Sequence, residues 1–281
     1  MGCLNSNAQF NHWFGNIHLS GPCNRSCYFC IGQHMMALDP LNNLDKWPLD
    51  GLDEFVEKCL ENKVSEINLT GSNTDPLLYH HIDKLKCFLE QKITNLVFGC
   101  RTNGELIKNN EDWLMFDKGS VSIPTFKVGL YKEIMGCGMP PDLKTILEIS
   151  PFPVKVNVVL TPEVVNGLNE FEDLLSDLIV AGATKVNLRE PYGQPHIGDP
   201  MVRFNLPFKK TKFGMPVYEF GGMKITYWDV HFVEVESVNL YANGVTSVTY
   251  PITKGHDEKT GKVMDQSKFI KSGRLVKQWN G

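Results

Sequence analysis

The feature that most constrains the fold is a regular alternation of short apolar, β-branched runs with stretches of helical periodicity, from residue 15 to about residue 190. Six such runs predict β-strands, and these cover residues 15–21, 64–71, 95–104, 119–126, 153–160 and 184–190. The stretches between them predict helices over residues 49–63, 76–91, 140–149 and 169–182. Consecutive strand–helix units predict an α/β fold with a parallel sheet covered by helices, here a partial (β/α)6 TIM-like barrel. In such barrels the functional site lies at the carboxyl ends of the strands.

The pattern changes after about residue 200. Apolar and polar residues then alternate, with turn signals at Gly221-Gly222 and Asn243-Gly244, and this predicts a small antiparallel β extension. We therefore predict two units, a barrel over residues 1–200 and a C-terminal β extension with a basic tail over residues 201–281. The second unit carries 12 Lys and Arg against 7 Asp and Glu, and such a basic balance indicates a solvated face or a phosphate-bearing partner.

Composition excludes several classes of protein. No apolar run approaches the roughly 20 residues that cross a bilayer, so no membrane association is expected. The first residues lack the basic and apolar regions of a signal peptide. We therefore expect a cytoplasmic protein, in whose reducing environment the eight cysteines are not a disulfide framework.

Three of the eight cysteines fall within the segment GPCNRSCYFCIG, residues 21–32. Cys23, Cys27 and Cys30 supply three ligands, and His34 or His18 as a fourth would complete a structural zinc site. An iron–sulfur cluster is the alternative, and it explains the number three better, because a four-iron cluster with three thiolates keeps one iron open to a small molecule. The other cysteines are scattered and mostly typical of small apolar core residues.

The motif CNRSCYFC has the C-x3-C-x2-C spacing of the radical S-adenosylmethionine enzymes, and the chain resembles them over roughly residues 14–192. Four later segments occur in the order found in that superfamily: INLTGSNTDPLL, RTNGELI, VSIPTFKVGLYKEIMG and VKVNVVLTPEVVNGLNEFEDLL. The barrel is most similar to the GTP cyclase group of molybdenum-cofactor synthesis. That group has a second three-cysteine site near its C-terminus, whereas no cysteine follows Cys137 here.

The resemblance implies a [4Fe–4S] cluster on Cys23, Cys27 and Cys30, with S-adenosylmethionine at its open iron. The resulting 5′-deoxyadenosyl radical would abstract hydrogen from a substrate, and the enzyme would be oxygen-sensitive. The resemblance also implies S-adenosylmethionine contacts from nine further residues: Phe29, Gly71, Ser72, Asn73, Asp75, Thr102, Ser122, Lys155 and Asn157. Asn73 and Asp75 are the alternatives for the glutamate that the family places at the methionine ammonium.

Four more residues have less specific predictions. Arg189 and Glu190 end the sixth strand and would contact substrate or each other. Cys137, and less strongly Cys100, would donate a hydrogen atom to a product radical, although a core or surface thiol is the simpler interpretation of both.

Three hypotheses follow for the function. The first is a radical enzyme acting on a nucleotide-like or other small molecule. The second is a radical enzyme modifying a peptide, protein or nucleic-acid residue, for example an epimerase or maturase, with the C-terminal extension as docking surface. The third is a zinc or iron–sulfur binding module without catalysis. The resemblance also implies a reducing partner such as a flavodoxin.

Overall fold

The computed structural model describes residues 13–32, 41–165, 168–192, 196–206, 209–212, 214–229 and 235–248. Six strands of the predicted barrel are present at the expected places. They are β1 (Trp13–Leu19), β2 (Glu66–Gly71), β3 (Val97–Thr102), β4 (Lys118–Ser122), β5 (Val154–Val159) and β6 (Lys185–Arg189). Each pairs in parallel with the next in chain order. The predicted parallel α/β barrel is thus confirmed, with a sheet that stays open.

The helices pack outside this sheet. They are α1 (Leu52–Glu61), α2 (Ile82–Lys92), α3 (Val128–Met135), α4 (Leu143–Ile149), α5 (Pro162–Val165) and α6 (Leu168–Val180). Short 3-10 helices add Pro76–Leu78, Ile107–Asn109, Glu111–Met115 and Pro200–Phe204. Within the described parts of the chain, no helix has the length and apolar character needed to cross a membrane.

The C-terminal extension contributes five strands: β7 (Lys210–Lys212), β8 (Met215–Phe220), β9 (Met223–Trp228), β10 (Glu236–Leu240) and β11 (Thr246–Ser247). The predicted antiparallel pairing is confirmed for β7–β8–β9 and for β10–β11. The structure adds that β9 pairs in parallel with β6, and β10 in parallel with β1. The extension therefore lengthens the barrel sheet at both edges. Its division from the barrel at residue 200 stays a prediction, and the basic tail from residue 249 onwards lies outside the described residues.

Two local differences from the sequence prediction have simple causes. Strand β4 stops at Ser122, earlier than predicted, and Pro124 just beyond it has no N–H for a sheet hydrogen bond. Helix α3 was not predicted. It begins after Lys127 and ends at Gly136, whose φ of 79° is the left-handed conformation that commonly ends helices.

Alternation along the strands divides the sheet into an apolar face and a polar face. Ile17, Leu69, Val156 and Leu188 are buried in the apolar core beneath the helices. The neighbouring positions carry Asn16, Asn68, Asn157 and Asn187, which line the interior of the barrel. Because successive side chains of a strand point to opposite faces, a polar interior follows directly from this sequence pattern.

Candidate functional site

Two adjoining cavities occupy the barrel interior. The upper cavity, of about 230 Å³, lies at the carboxyl ends of the strands, where Gly71, Thr102 and Ser122 end β2, β3 and β4. The lower cavity, of about 320 Å³, lies toward their amino ends, where Glu66 and Lys118 begin β2 and β4. The cavities share four wall residues: Ile31, Arg101, Asn157 and Arg189.

Cys23, Cys27 and Cys30 line the upper cavity together with Phe29. None of these three cysteines forms a disulfide. Cys23 is exposed, and the other two are half-buried. Burial raises the pKa of Cys27 to about 12, with Cys30 and Cys23 adding to the rise and Arg25 opposing it. The thiols therefore lie close enough to influence one another across one face of the cavity.

The three thiols bear on the choice between the two metal alternatives. In the described ranges, no group of three His, Cys, Asp or Glu side chains is placed to hold a single metal ion. A structural zinc site takes four ligands, whereas a four-iron cluster is held by thiolates. Three thiols on the lining of one cavity match the three thiolates expected for the cluster. His34 lies outside the described residues.

The loop after β2 forms the facing wall with Gly71, Ser72 and Asp75. A Cβ on Gly71 would lie 1.6 Å from the carbonyl oxygen of Thr74, so this position requires glycine. The Ser72 amide donates to the carbonyl oxygen of Leu19 at 2.7 Å, which joins this loop to the end of β1.

Asp75 is almost fully buried and accepts four hydrogen bonds or close polar contacts. The hydroxyl of Thr102 lies 2.9 and 2.8 Å from its two oxygens, and the amides of Asn103 and Leu77 donate at 2.7 and 3.0 Å. Burial raises the pKa of Asp75, and these amides oppose the rise. Asp75 is therefore an acidic side chain of the upper wall whose two oxygens are held in place by these donors.

Asn73 behaves differently from Asp75. Its Oδ1 accepts from the Ser20 hydroxyl at 2.9 Å and from the Gly21 amide at 3.1 Å, and Asn73 does not line the upper cavity. The side-chain oxygen that was expected to meet an ammonium instead holds the start of the cysteine loop. The contact of Asn73 with the methionine ammonium therefore stays a prediction, and Asp75 is the acidic side chain with which this loop lines the upper cavity.

The lower cavity is strongly cationic. Among the described residues, six basic side chains line it against one carboxylate, that of Glu66, which pairs with Lys118. The six are Arg101, Lys118, Lys155, Lys185, Arg189 and Lys212. Burial lowers the pKa of Lys155 to about 7, and the charges of Arg101, Arg189, Lys212 and Lys118 lower it further. A cavity with such an excess of cations favours an anionic ligand.

Two asparagines add hydrogen-bonding capacity to the lower cavity. Asn16 donates to Oδ1 of Asn239 at 2.8 Å, and Asn157 donates to the Ser120 hydroxyl. The buried Oδ1 atoms of Asn16 and Asn157 accept no hydrogen bond. Because an unsatisfied buried acceptor is costly, these two oxygens are suited to N–H or O–H groups of a ligand.

Lys155 and Asn157 differ in which cavity they line. They share a face, as expected, but only Asn157 lines the upper cavity as well. Two residues along a strand span nearly 7 Å, so Lys155 lies one step deeper, in the lower cavity. Lys155 thus lies among the cations, and its contact with the methionine carboxylate stays a prediction.

The remaining predicted residues are distributed around the cavities. Glu190 accepts from the Tyr227 hydroxyl at 2.7 Å and from the Gly198 amide at 2.7 Å, which ties the segment after β6 to β9.

Cys100 is buried and lines the lower cavity. Cys137 is exposed and lines neither of these two cavities, and hydrogen donation by either thiol stays a prediction.

Sequence reasoning missed the contacts that join the cysteine loop to the loop after β3. Arg25, within the loop, pairs with Glu105 at 2.5 Å, and Asn24 donates to the same carboxylate at 2.6 Å. In the sequence, only their positions could have indicated this contact: Arg25 lies inside the cysteine motif, and Glu105 ends the turn RTNGE.

Comparison with known proteins gives sequence relatives over about half of the chain. A probable GTP 3′,8-cyclase of Methanococcus aeolicus is 26% identical over 165 residues, which are 56% of this chain and 53% of the relative. A probable GTP 3′,8-cyclase of Methanopyrus kandleri is 27% identical over 187 residues, 63% of this chain and 56% of the relative. The chain thus spans only about half the length of these curated relatives. No protein-family model matches it.

Solved structures agree in fold. Streptococcus suis SuiB bound to S-adenosylmethionine matches 83% of this chain and 58% of its own, with a TM-score of 0.52 and 14% identity. SuiB bound to its precursor peptide SuiA matches 83% of this chain with a TM-score of 0.51. The predicted resemblance is confirmed: the chain is similar in sequence to probable GTP 3′,8-cyclases and shares its barrel fold with the S-adenosylmethionine-binding protein SuiB.

Proposed function

We propose that this chain is a radical S-adenosylmethionine enzyme that acts on a small anionic molecule. The observation that supports it is the pair of adjoining cavities. One carries three cysteines at the carboxyl ends of the strands, and the other carries six cations directly below it. The two share Arg101, Asn157 and Arg189, so molecules bound in each would meet.

The residues of the upper cavity fit the cofactors of the superfamily. When bound, a [4Fe–4S] cluster on Cys23, Cys27 and Cys30, together with S-adenosylmethionine, supplies a 5′-deoxyadenosyl radical that removes a hydrogen atom from a C–H bond. The carboxyl group of Asp75, beside the Thr102 hydroxyl, suits the methionine ammonium. Phe29 offers an aromatic face for adenine, and Ser122 on β4 and Asn157 on β5 offer hydrogen bonds.

The lower cavity is suited to orient the substrate. Its cations attract a phosphate or carboxylate group, and the free acceptors of Asn16 and Asn157 suit the hydroxyl or amino groups of the same molecule. Such a molecule would extend to Asn157, Arg101 and Arg189, where the lower cavity meets the upper one. The side chains therefore supply binding and orientation, and the cofactors supply the radical chemistry.

The cofactor part is tested by anaerobic reconstitution with iron and sulfide, followed by measurement of 5′-deoxyadenosine from S-adenosylmethionine. We expect a cluster chromophore and cleavage in the wild type, and neither in Cys27→Ala. Cys87→Ala is the matched control, because Cys87 is an exposed free thiol on α2. A chromophore without cleavage under strong reduction, or retention of zinc without iron, would overturn the proposal in favour of a binding module.

The substrate part is tested separately, by titration of the anaerobically reconstituted protein with inorganic tripolyphosphate at constant ionic strength. We expect Lys155→Gln to bind roughly tenfold more weakly, a loss of about 1.4 kcal/mol. Lys224→Gln is the control, since Lys224 lies exposed on β9 and does not line the cavity. Equal affinities in all three proteins would refute an anionic substrate. They would favour the peptide alternative, for which SuiB bound to SuiA is the relevant structure.

A further inference from the structure

Arg25 is the one basic residue inside the cysteine motif, and its guanidinium is enclosed. The side chain is 3% exposed. It packs over the Tyr131 ring at 5.8 Å, and a Cβ on Gly138 would lie 2.5 Å from three guanidinium atoms. Its Nη1 donates to the Asn24 carbonyl oxygen at 3.1 Å and lies 3.9 Å from the Cys137 sulfur. The loop after α3 therefore fixes this positive charge beside Cys23 and Cys27.

Glu105 faces Arg25 from the loop after β3. Its Oε2 lies 2.5 Å from Arg25 Nη1 and accepts from Asn24 Nδ2 at 2.6 Å. Asn103 strengthens the link, because its Nδ2 donates to Asn24 Oδ1 at 2.7 Å and its Oδ1 accepts from the Glu105 amide at 3.1 Å. The carboxylate is 38% exposed, so it borders solvent while the guanidinium does not.

We propose that Glu105 is a positioning residue that, through Arg25, lowers the reduction potential of the cluster. The inference rests on the proposed function, since it requires a cluster on the three cysteines. It concerns a pair of charges that are not among the three cysteine ligands.

The sign follows from charge. Reduction adds one electron to a cluster that is already anionic with its thiolates, so a nearby positive charge favours the reduced form. Arg25 alone would raise the potential, and Glu105 offsets that charge. This offset would keep the reduced cluster a strong reductant, as cleavage of a sulfonium requires. The enclosed guanidinium is also less screened by solvent and salt than an exposed charge.

The test is a redox titration of the reconstituted holoprotein, followed by electron paramagnetic resonance of the reduced cluster. Glu105→Gln keeps the shape and acceptor oxygen of the side chain and removes its charge. We expect the ratio of reduced to oxidised cluster at a fixed potential to rise about tenfold, which is about 59 mV for one electron. Arg25→Gln should lower the same ratio, and the double variant should return toward the wild-type value.

Glu133→Gln is the matched control, because Glu133 is an exposed carboxylate on α3 near Tyr28 that does not pair with Arg25. We expect no more than a twofold change from it. Equal midpoints for the wild type, Glu105→Gln and Arg25→Gln, with intact cluster and S-adenosylmethionine cleavage, would overturn the inference and leave the proposed function standing. Failure of the wild type to form any cluster would overturn both.

Discussion

The two cavities of the barrel are built by different means. The upper cavity is enclosed by loops whose backbones touch, as at Gly71, where any Cβ would meet the Thr74 carbonyl oxygen at 1.6 Å. The lower cavity is enclosed by side chains that project from strands. At Gly99, on β3, a Cβ would meet the Asn68 amide oxygen and the Lys118 side chain, each at 2.6 Å.

This difference matches the demands on each cavity. A cluster and a cofactor common to a superfamily need a fixed cradle, and backbone contacts tolerate almost no change. A substrate that differs between members needs walls that change by substitution, and projecting side chains provide them. The upper cavity should therefore respond to substitution mainly through stability and assembly, and the lower cavity mainly through ligand affinity.

The largest expected effect compares the two glycines directly. Gly71→Ala should lower the free energy of unfolding by about 3 kcal/mol, at the upper end of overpacking effects, because the clash is with backbone. Gly99→Ala should cost about 1 kcal/mol, because the flexible Lys118 chain yields. Urea denaturation of both variants measures the difference. Equal losses would show that the two cavities are equally rigid.

Thr102→Val tests the polar support of the upper wall. The change removes the hydroxyl that contacts both oxygens of Asp75 and leaves the amide donors of Asn103 and Leu77. Hydrogen bonds to charged groups contribute about 1.5–3 kcal/mol, so we expect a loss of about 2 kcal/mol in urea denaturation. Thr102→Ser, which keeps the hydroxyl, should recover most of it. No recovery would mean that the lost methyl packing, and not the hydroxyl, matters.

The sequence predicted the fold well where periodicity is local. The six barrel strands follow from β-branched runs such as PVKVNVVL, and their parallel order follows from the helices between them. Which partners β9 and β10 take was not predictable. Pairing of β9 with β6 and of β10 with β1 joins residues about 40 and about 220 positions apart, and such register depends on packing across the barrel.

The candidate site shows the same contrast between features set by local spacing and features that depend on distant parts of the chain. The motif located Cys23, Cys27, Cys30 and Phe29 in one cavity, because their spacing is local. Depth along a strand was harder to predict, so the sequence did not separate Lys155, which lines the lower cavity alone, from Asn157, which lines both. The cationic character of the lower cavity escaped detection because its charges come from β3, β4, β5, β6 and β7, and no window of sequence contains them together.

The pH dependence of the lower cavity should separate it from the upper one. The pKa of Lys155 is about 7 in the folded chain against an ordinary 10.5, so between these values the unfolded state binds more protons. The Lys155 contribution to the free energy of unfolding therefore rises from pH 7 to about 10.5. Lys155→Gln should remove this part of the slope in urea denaturation.

Ligand binding should show the opposite trend. A bound anion favours the protonated amine, so tripolyphosphate should bind wild type about tenfold more weakly at pH 8.5 than at pH 6. Part of this trend belongs to titration of the ligand itself, so Lys155→Gln, measured under the same conditions, is the reference. An equally steep trend in the variant would assign the pH dependence to other groups.

The smallest expected effect concerns the rim of the lower cavity. Lys185 begins β6 and lines this cavity, but it is exposed, whereas Lys155 on the neighbouring strand β5 is partly buried among the other cations. Because solvent and salt screen exposed charges, such a group contributes between about 0 and 1 kcal/mol. Lys185→Gln should weaken tripolyphosphate binding only about twofold in 50 mM salt, and the difference should vanish at 1 M, where the Debye length is about 3 Å. A tenfold loss that persists in high salt would mean that the anion lies at the rim, and that the deeper cations serve another purpose.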